Sequence, residues 1–597
     1  MTIIEKLTAL RKLMKERSMD VYMIPTSDFH ETEYVGEYFK ARKYMSHFSG
    51  SAGTLVVCLD CAALWTDGRY FIQAEEQLKG TSITLMKQGE EGVPTLAQYI
   101  YDHCSNQGVF GFDGRVMNTK LTKAIMLRLA DKEVRVSYQE DLVDLIWKDR
   151  PALPDKKGFF LAEKYSGKSS ADKLKDIKDI MKKQKVTHHI VTSLDDIAWI
   201  LNMRGDDIAC FPVVLAYLVI TEGVSYVFMD EAKVSEELAK NFKENDIVVK
   251  AYDEIYQYVK TIDASSSIML DPTSVNYAIT QGLHADIKLL ECPNPSMMMK
   301  AKKNEIELEN NRNAHIKDGV AMTKFMYWLK HNVGKEKISE LSASDYLESL
   351  RAQQEHFIEL SFNTISAYKE HAAMMHYSAT SESDVELKKE GMLLVDSGGQ
   401  YYDGTTDITR TFVLGPISDE MRFHFTVALR SHIALSKARF LYGCRGMNLD
   451  ILARGPLWDL NLDYKCGTGH GVGHLLNVHE GPNGFRWKMV AERNDSCILE
   501  EGMTQSNEPG VYIEGSHGIR HENEMVVHRG EKNEYGQFMY FETITFVPFD
   551  VDGLDVSLLT QYEKQWLNDY HQEVFTKISP YLDSEEVTWL KDITKAI

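Results

Sequence analysis

The chain of 597 residues is poor in cysteine and proline, short of basic charge, and without a long apolar run. Eight cysteines are scattered along it. Only Cys58 and Cys61 form a CxxC, in a strand-like stretch with no second pair at zinc-ribbon spacing, so they read as small packed apolar residues. Few, dispersed thiols fit a reducing compartment. The longest apolar run, Phe211–Ile220, is far below the ~20 residues a bilayer span requires. The first twenty residues alternate charged and apolar side chains as an amphipathic helix does, without the apolar core of a signal peptide. The expectation is a cytoplasmic protein with no membrane contact. Lys and Arg total 67 against 88 Asp and Glu, a net charge of -21. A surface of that sign repels phosphate backbones and argues against nucleic acid as a partner.

The scarce prolines are informative where they pair. Pro151 with Pro154, and Pro293 with Pro295, fix φ and withhold hydrogen-bond donors, which marks connections between elements. They divide the chain into 1–155, 156–297 and 298–597, with a C-terminal extension at about 540–597. The first two segments look like copies of one α/β unit. Each opens with a charged helix (Ile4–Lys15, Asp172–Lys185) and a strand into a Thr-Ser turn (Tyr22–Ser27, His188–Ser193). A second helix and a glycine turn at Gly50 or Gly205 follow, and each copy ends in strands, Leu55–Trp65 and Val213–Met229. The third segment starts with a helix over roughly 302–332, whose stripe of Ala314, Ala321, Phe325 and Trp328 predicts a core face. Strands follow, with turns at Asp403-Gly404 and Glu514-Gly515. Thr560-x-x-Glu563 and Asp583-x-x-Glu586 predict two capped helices in the tail.

Acids and histidines concentrate in this third segment. An apolar strand delivers Asp396, the chain turns at glycine, and a second strand delivers Asp407; their relative register is not readable from sequence. Between Cys466 and Pro482 stand five glycines and the imidazoles His470, His474 and His479. Glycine at that density lets a backbone approach something closely. His479-Glu480 lacks the second histidine of the zincin helix motif, and no dinucleotide or phosphate loop is formed there. Glu508 precedes a Pro-Gly turn, Glu522 falls beside Arg520 on the return strand, and His376 lies twenty residues before Asp396. Four carboxylates and an imidazole suit a hard divalent ion. Unpaired, such acids would force one another to protonate, and two dications remove that penalty.

These motifs resemble the pita-bread metallopeptidases, the family of methionine aminopeptidase, prolidase and aminopeptidase P. Its ligand set is an Asp, a second Asp eleven positions on, a His, and two Glu. Here Asp396, Asp407, His470 in GTGHGVG, Glu508 in NEPG and Glu522 after GIR match it. The resemblance implies that Asp396 chelates one ion, that Asp407 and Glu522 bridge two, and that His470 and Glu508 hold the other. His376 and His479 match the histidines that contact substrate, Arg520 an arginine supporting the bridging glutamate, and Glu508 is in addition the proton acceptor. Leu64–Phe71, Leu194–Gly205 and Trp566–His571 are similar to stretches of the long aminopeptidase P enzymes. That extends the resemblance over the whole chain and implies two creatinase-like N-terminal α/β domains, a pita-bread catalytic domain and a short helical extension. It also implies a homodimer, two ions of the Mn²⁺ kind, and hydrolysis, through a hydroxide shared by both ions, of the bond before a proline at the second position of a peptide. The rivals are prolidase, which cleaves only Xaa-Pro dipeptides, and a binding protein on a peptidase fold, against which the intact ligand set argues. One departure stands out. Many members carry a histidine four residues before the ligand histidine, and here that position is Cys466.

Overall fold

The computed structural model describes residues 1–489 and 496–597. Met1–Ala162 with Lys168–Ser296 forms one compact unit, and Glu163–Gly167 with Met297–Ile597 a second.

The first unit is built twice on one plan. One six-stranded sheet runs in the order Thr84–Lys87, Ala62–Thr66, Thr54–Cys58, Val21–Pro25, Val109–Gly111, Arg135–Ser137. The other runs Ile247–Lys250, Ser225–Phe228, Tyr217–Thr221, His188–Val191, Ser267–Leu270, Lys288–Glu291. In both, the strand after the opening helix pairs antiparallel with the hairpin on one side and parallel with a later strand on the other. The duplication is therefore present. The expectation that each copy ends at its hairpin is not met: three further parallel strands follow in each. In the first copy, the one next to the hairpin, Thr84–Lys87, is partly exposed, four residues long and carries no alternation to announce it.

Opening helices form where the caps place them. Thr2 and Glu5 make a reciprocal capping box on Ile3–Glu16, and Ser169 caps Ser170–Gln184. Ile3, Leu7, Leu10 and Met14 recur at helical spacing and are buried. The central strand Val21–Pro25 is buried along its length because both faces are covered. Val21 and Met23 enter one core with Val56 and Trp65, while Tyr22 and Ile24 enter the opposite core with Leu55 and Leu64.

In the second unit, Asn304 and Glu307 box the N-terminus of the helix Glu305–Asn332. Of the predicted stripe, Ala314, Ala321 and Phe325 are fully buried, while Trp328 is partly buried at the edge of the core. The short helix Glu163–Ser166 belongs here too: the Asn304 and Asn310 amides donate to the carbonyls of Ser166 and Lys164 at 2.9 Å. Two sheets carry the chemistry. Met392–Ser397 lies between Ile365–Tyr368 and Ile408–Val413. The larger sheet runs Arg439–Leu441, Gly536–Thr543, Asn523–Asn533, Thr504–Asn507, Gly469–Gly471, Glu480–Phe485. Helices Asp419–Ser436 and Gly446–Trp458 pack with them. Both tail helices carry the capping boxes read from sequence. No helix among the described residues is long and apolar enough to cross a membrane.

Candidate metal centre

Asp396 pairs across the ladder with Thr409 and Ser397 with Ile408. Side chains two positions apart share a face, so this register aligns Asp396, Thr409 and Asp407. The second sheet supplies the rest. His470 sits in the strand Gly469–Gly471. Glu508 lies in the link between Thr504–Asn507 and Gly510–Ile513, and Glu522 in the facing link between His517–Arg520 and Asn523–Asn533. The expectation of Glu522 on a return strand is thus corrected. The two ladders Asn507↔Asn523 and Gly510↔Arg520 leave a gap, and a glutamate enters it from each side.

Asp407, His470 and Glu522 offer ligand atoms all within 4.8 Å of one another. His470 Nε2 is 3.5 Å from Asp407 Oδ2 and 3.3 Å from Glu508 Oε1. Its Nδ1 is 3.0 Å from the Gly471 carbonyl, which makes Nδ1 the protonated nitrogen and leaves the Nε2 lone pair facing the acids. Asp396 joins through charge: Asp407 and Glu522 both feel it. Arg520 pairs with Asp396 Oδ2, donates to Tyr512 Oη at 2.7 Å, and lies with Nε 3.2 Å from Thr409 Oγ1. Thr409 in turn donates to Glu522 Oε2 at 2.7 Å. The His479 ring meets that of His470 edge to face at 4.3 Å. His376 is half-buried in the loop where the Met375 carbonyl accepts from Arg520 at 3.5 Å.

The donor set fits divalent ions. Asp396 Oδ1, Asp407 Oδ1 and Glu522 Oε1 are buried without a hydrogen-bond partner. Buried oxygens in that state are costly unless something else satisfies them. Without a counter-charge, burial first and the neighbouring carboxylates second push Asp407 and Glu522 well above the ordinary carboxylate range.

Other side chains matter that sequence did not single out. Thr409 and Tyr512 hold Arg520 from different strands. Arg410, fully buried, donates to Asn523 Oδ1 at 2.7 Å, the Val547 carbonyl at 2.8 Å and Tyr570 Oη at 2.9 Å, and also to the Glu522 carbonyl. It ties the Glu522 link to the C-terminal helix Gln561–Ile578. The glycines around His470 accommodate protein backbone: a Cβ on Gly469 would stand 2.1 Å from the Ser506 carbonyl oxygen, and one on Gly471 2.3 Å from that of Glu480. His474 is buried, with Nδ1 2.8 Å from Asn311 Oδ1.

Cys466 packs, half-buried, against the core beneath the site. Burial, and then the charge of Glu508, pushes its thiol up to about 11. A thiol raised in that direction is a poorer proton relay at neutral pH than the imidazole it replaces. Cys466→His is expected to lower the melting temperature, through overpacking that costs ~1–3 kcal/mol, and to leave kcat/KM flat or reduced. Higher turnover at an unchanged melting temperature would overturn this.

Models of known families match in sequence along the chain. Two are creatinase/prolidase N-terminal domains, at 6–145 and 149–307. Metallopeptidase family M24 matches 309–529, and the C-terminal region of peptidase M24 matches 537–597. A probable Xaa-Pro aminopeptidase P of Coprinopsis cinerea is 39% identical over 99% of this chain and 98% of its own length. Xaa-Pro aminopeptidase 1 of Dictyostelium discoideum is 38% identical over 100% and 97%. Among solved structures, the X-prolyl aminopeptidase of Caenorhabditis elegans, described as a cytosolic enzyme with a di-nuclear active site, superposes with a TM-score of 0.95 at 33% identity, covering 100% of both chains. Similarity of that extent runs through both N-terminal copies as well as the sheets that carry the acids, and so the chain belongs to metallopeptidase family M24, within its full-length aminopeptidase P group.

Proposed function

We propose that the protein is a metallo-exopeptidase that hydrolyses the bond between the N-terminal residue of a peptide and a proline at position two, using two divalent ions. The observation that carries this reading is the convergence of Asp407, His470, Glu508 and Glu522, with Asp396 on the same face, around buried carboxylate oxygens that have no protein partner. Full-length similarity to Xaa-Pro aminopeptidases, one of them described as di-nuclear, supports both the substrate class and the ion count. Asp396 would hold one ion, Asp407 and Glu522 both, and His470 with Glu508 the other. Oxygen-rich ligands with one imidazole suit Mn²⁺. When bound, the ions supply Lewis acidity and an activated water.

The chain's own groups do the rest. Glu508 accepts the proton released at the nucleophile. Ser506 Oγ, which donates to Glu508 Oε1 at 3.3 Å and accepts from the His470 backbone N–H at 2.9 Å, holds both residues in register. Arg520 stays charged against the cost of its burial because Tyr512, Asp396 and Glu508 surround it, and it fixes the Asp396 carboxylate. His479 and His376 donate hydrogen bonds to the substrate carbonyl as charge develops there. Proline at position two is recognised by shape, since it offers no amide N–H.

An Xaa-Pro-Yaa tripeptide is expected to be cleaved at least about tenfold faster, by kcat/KM, than the matching Xaa-Pro dipeptide. A preference for the dipeptide would make the protein a prolidase. Few and dispersed thiols support a cytoplasmic location. Homodimerisation is supported by an apolar face on the helix Gly446–Trp458: Met447, Ile451, Leu452 and Trp458 are exposed, and Trp458 meets exposed Trp487 edge to face at 5.9 Å. Ile451→Glu is expected to convert dimer to monomer in light scattering. A wild-type monomer at micromolar concentration would refute the dimer.

A further inference from the structure

We propose that Cys58, Cys61 and His103 form a soft-metal site in the N-terminal part of the chain, suited to a single zinc ion and built from residues apart from the candidate catalytic centre. Sequence offered only the CxxC, which reads as packed apolar residues. The structure adds the third donor from a different element.

The strands Thr54–Cys58 and Ala62–Thr66 form a hairpin that turns through Leu59-Asp60, and the Cys58 N–H donates to the Cys61 carbonyl at 2.9 Å. Residues that close a hairpin in this way put their side chains on one face of the ladder. His103 ends the helix Leu96–His103. One donor atom from each of the three residues lies within 4.8 Å of the other two. Tetrahedral zinc with Zn–S of about 2.3 Å and Zn–N of about 2.0 Å needs donors roughly 3.3–3.8 Å apart, so side-chain shifts of at most about 1–1.5 Å close the set.

A separate observation concerns the state of the imidazole. His103 Nδ1 lies 2.8 Å from the Tyr99 carbonyl. That contact places the proton on Nδ1 and leaves the Nε2 lone pair to a ligand, the arrangement that backbone carbonyls impose on metal-bound histidines. Tyr99 supports the cluster twice more. Its ring packs 4.1 Å from that of His103, and its hydroxyl is 3.3 Å from Cys61 Sγ. Cys58 is buried, while Cys61 and His103 are partly exposed, which gives an ion a route in and a water the fourth position. Two thiolates and an imidazole select against Mn²⁺ and Mg²⁺, so the two centres take ions of different classes.

The test uses the full-length protein, reduced, stripped with chelator and titrated with Co²⁺ as a spectroscopic stand-in for zinc. Thiolate-to-cobalt charge transfer absorbs in the near ultraviolet, and a carboxylate–imidazole centre gives no such band. The band is expected to reach the intensity of one thiolate-bound cobalt per chain, by at most about three equivalents because the catalytic centre also fills, and to be displaced by zinc. It should persist in Cys466→Ser and His470→Ala, disappear in Cys61→Ser and Cys58→Ser, and weaken in His103→Ala. The partly exposed Cys61 is the variant least exposed to a folding defect, and Cys61→Ser should keep wild-type peptidase activity. Absence of the band in the wild type, its loss only in Cys466→Ser, or thiol titration that finds Cys58 and Cys61 joined as a disulfide in freshly purified protein would each overturn the proposal.

Discussion

Replacing His470 with alanine is expected to reduce kcat/KM on an Xaa-Pro-Yaa peptide by more than ~10³-fold and to lower the number of ions retained per chain. A properly engaged acid–base group contributes ~10²–10⁴-fold, and loss of a ligand removes both the activated water and the group that positions it. Among the described residues, His470 is the nitrogen donor in the cluster with Asp407 and Glu522, and Glu508 faces the same Nε2. Its loss leaves three acids without the neutral ligand that separates them. The fold should survive, because the backbone contacts of the strand, including the His470 N–H to Ser506 Oγ, do not need the ring. The decisive pair of measurements is kcat/KM alongside ions per chain, with the melting temperature of the metal-free protein as control. A variant within tenfold of wild type would exclude His470 as a ligand.

How far the sequence carries this reading depends on the range of each interaction. The eleven-residue step from Asp396 to Asp407 and the glutamates of the NEPG and GIR stretches are local patterns, so the resemblance to the family could match the acids before any fold was known. Capping boxes such as Thr560 with Glu563 are equally local, since both partners lie within one helical turn. Register is not: only the ladder that sets Asp396 opposite Thr409 shows that the two aspartates share a face. Thr409 and Tyr512 escaped notice because a hydroxyl has no pattern of its own, and theirs matter through partners on other elements, Arg520 for both and Glu522 for Thr409. Glu522 was misplaced by a residue or two because a break between ladders looks like continuous strand in an alternating sequence. His103 was invisible for a further reason. It comes from a helix laid across the sheet, and nothing in a CxxC indicates which helix will pack over it.

Removing the divalent ions is expected to make the protein less stable as the pH rises. In the metal-free fold, burial and then the charges of neighbouring acids hold Asp407 and Glu522 well above the ordinary carboxylate range. Both therefore keep protons in the folded chain that the unfolded chain gives up near pH ~4. When the folded state binds more protons than the unfolded state, stability falls with rising pH, by ~1.4 kcal/mol for each unit by which a pKa is raised. The loss begins as the pH passes the unfolded carboxylate value and continues until the raised values are reached. Bound ions supply the missing counter-charge, so the metal-loaded protein should show little of this slope. The gap in melting temperature between loaded and stripped protein is thus expected to widen steadily from about pH 5 to about pH 8. Asp407→Asn separates the electrostatic cause from a general effect of chelation. It removes one buried like charge and keeps the shape, so the stripped variant should melt above the stripped wild type at about pH 8 while its activity is lost. A stripped wild type whose melting temperature is constant or rises across this window would show that the acids are not crowded together as the geometry indicates.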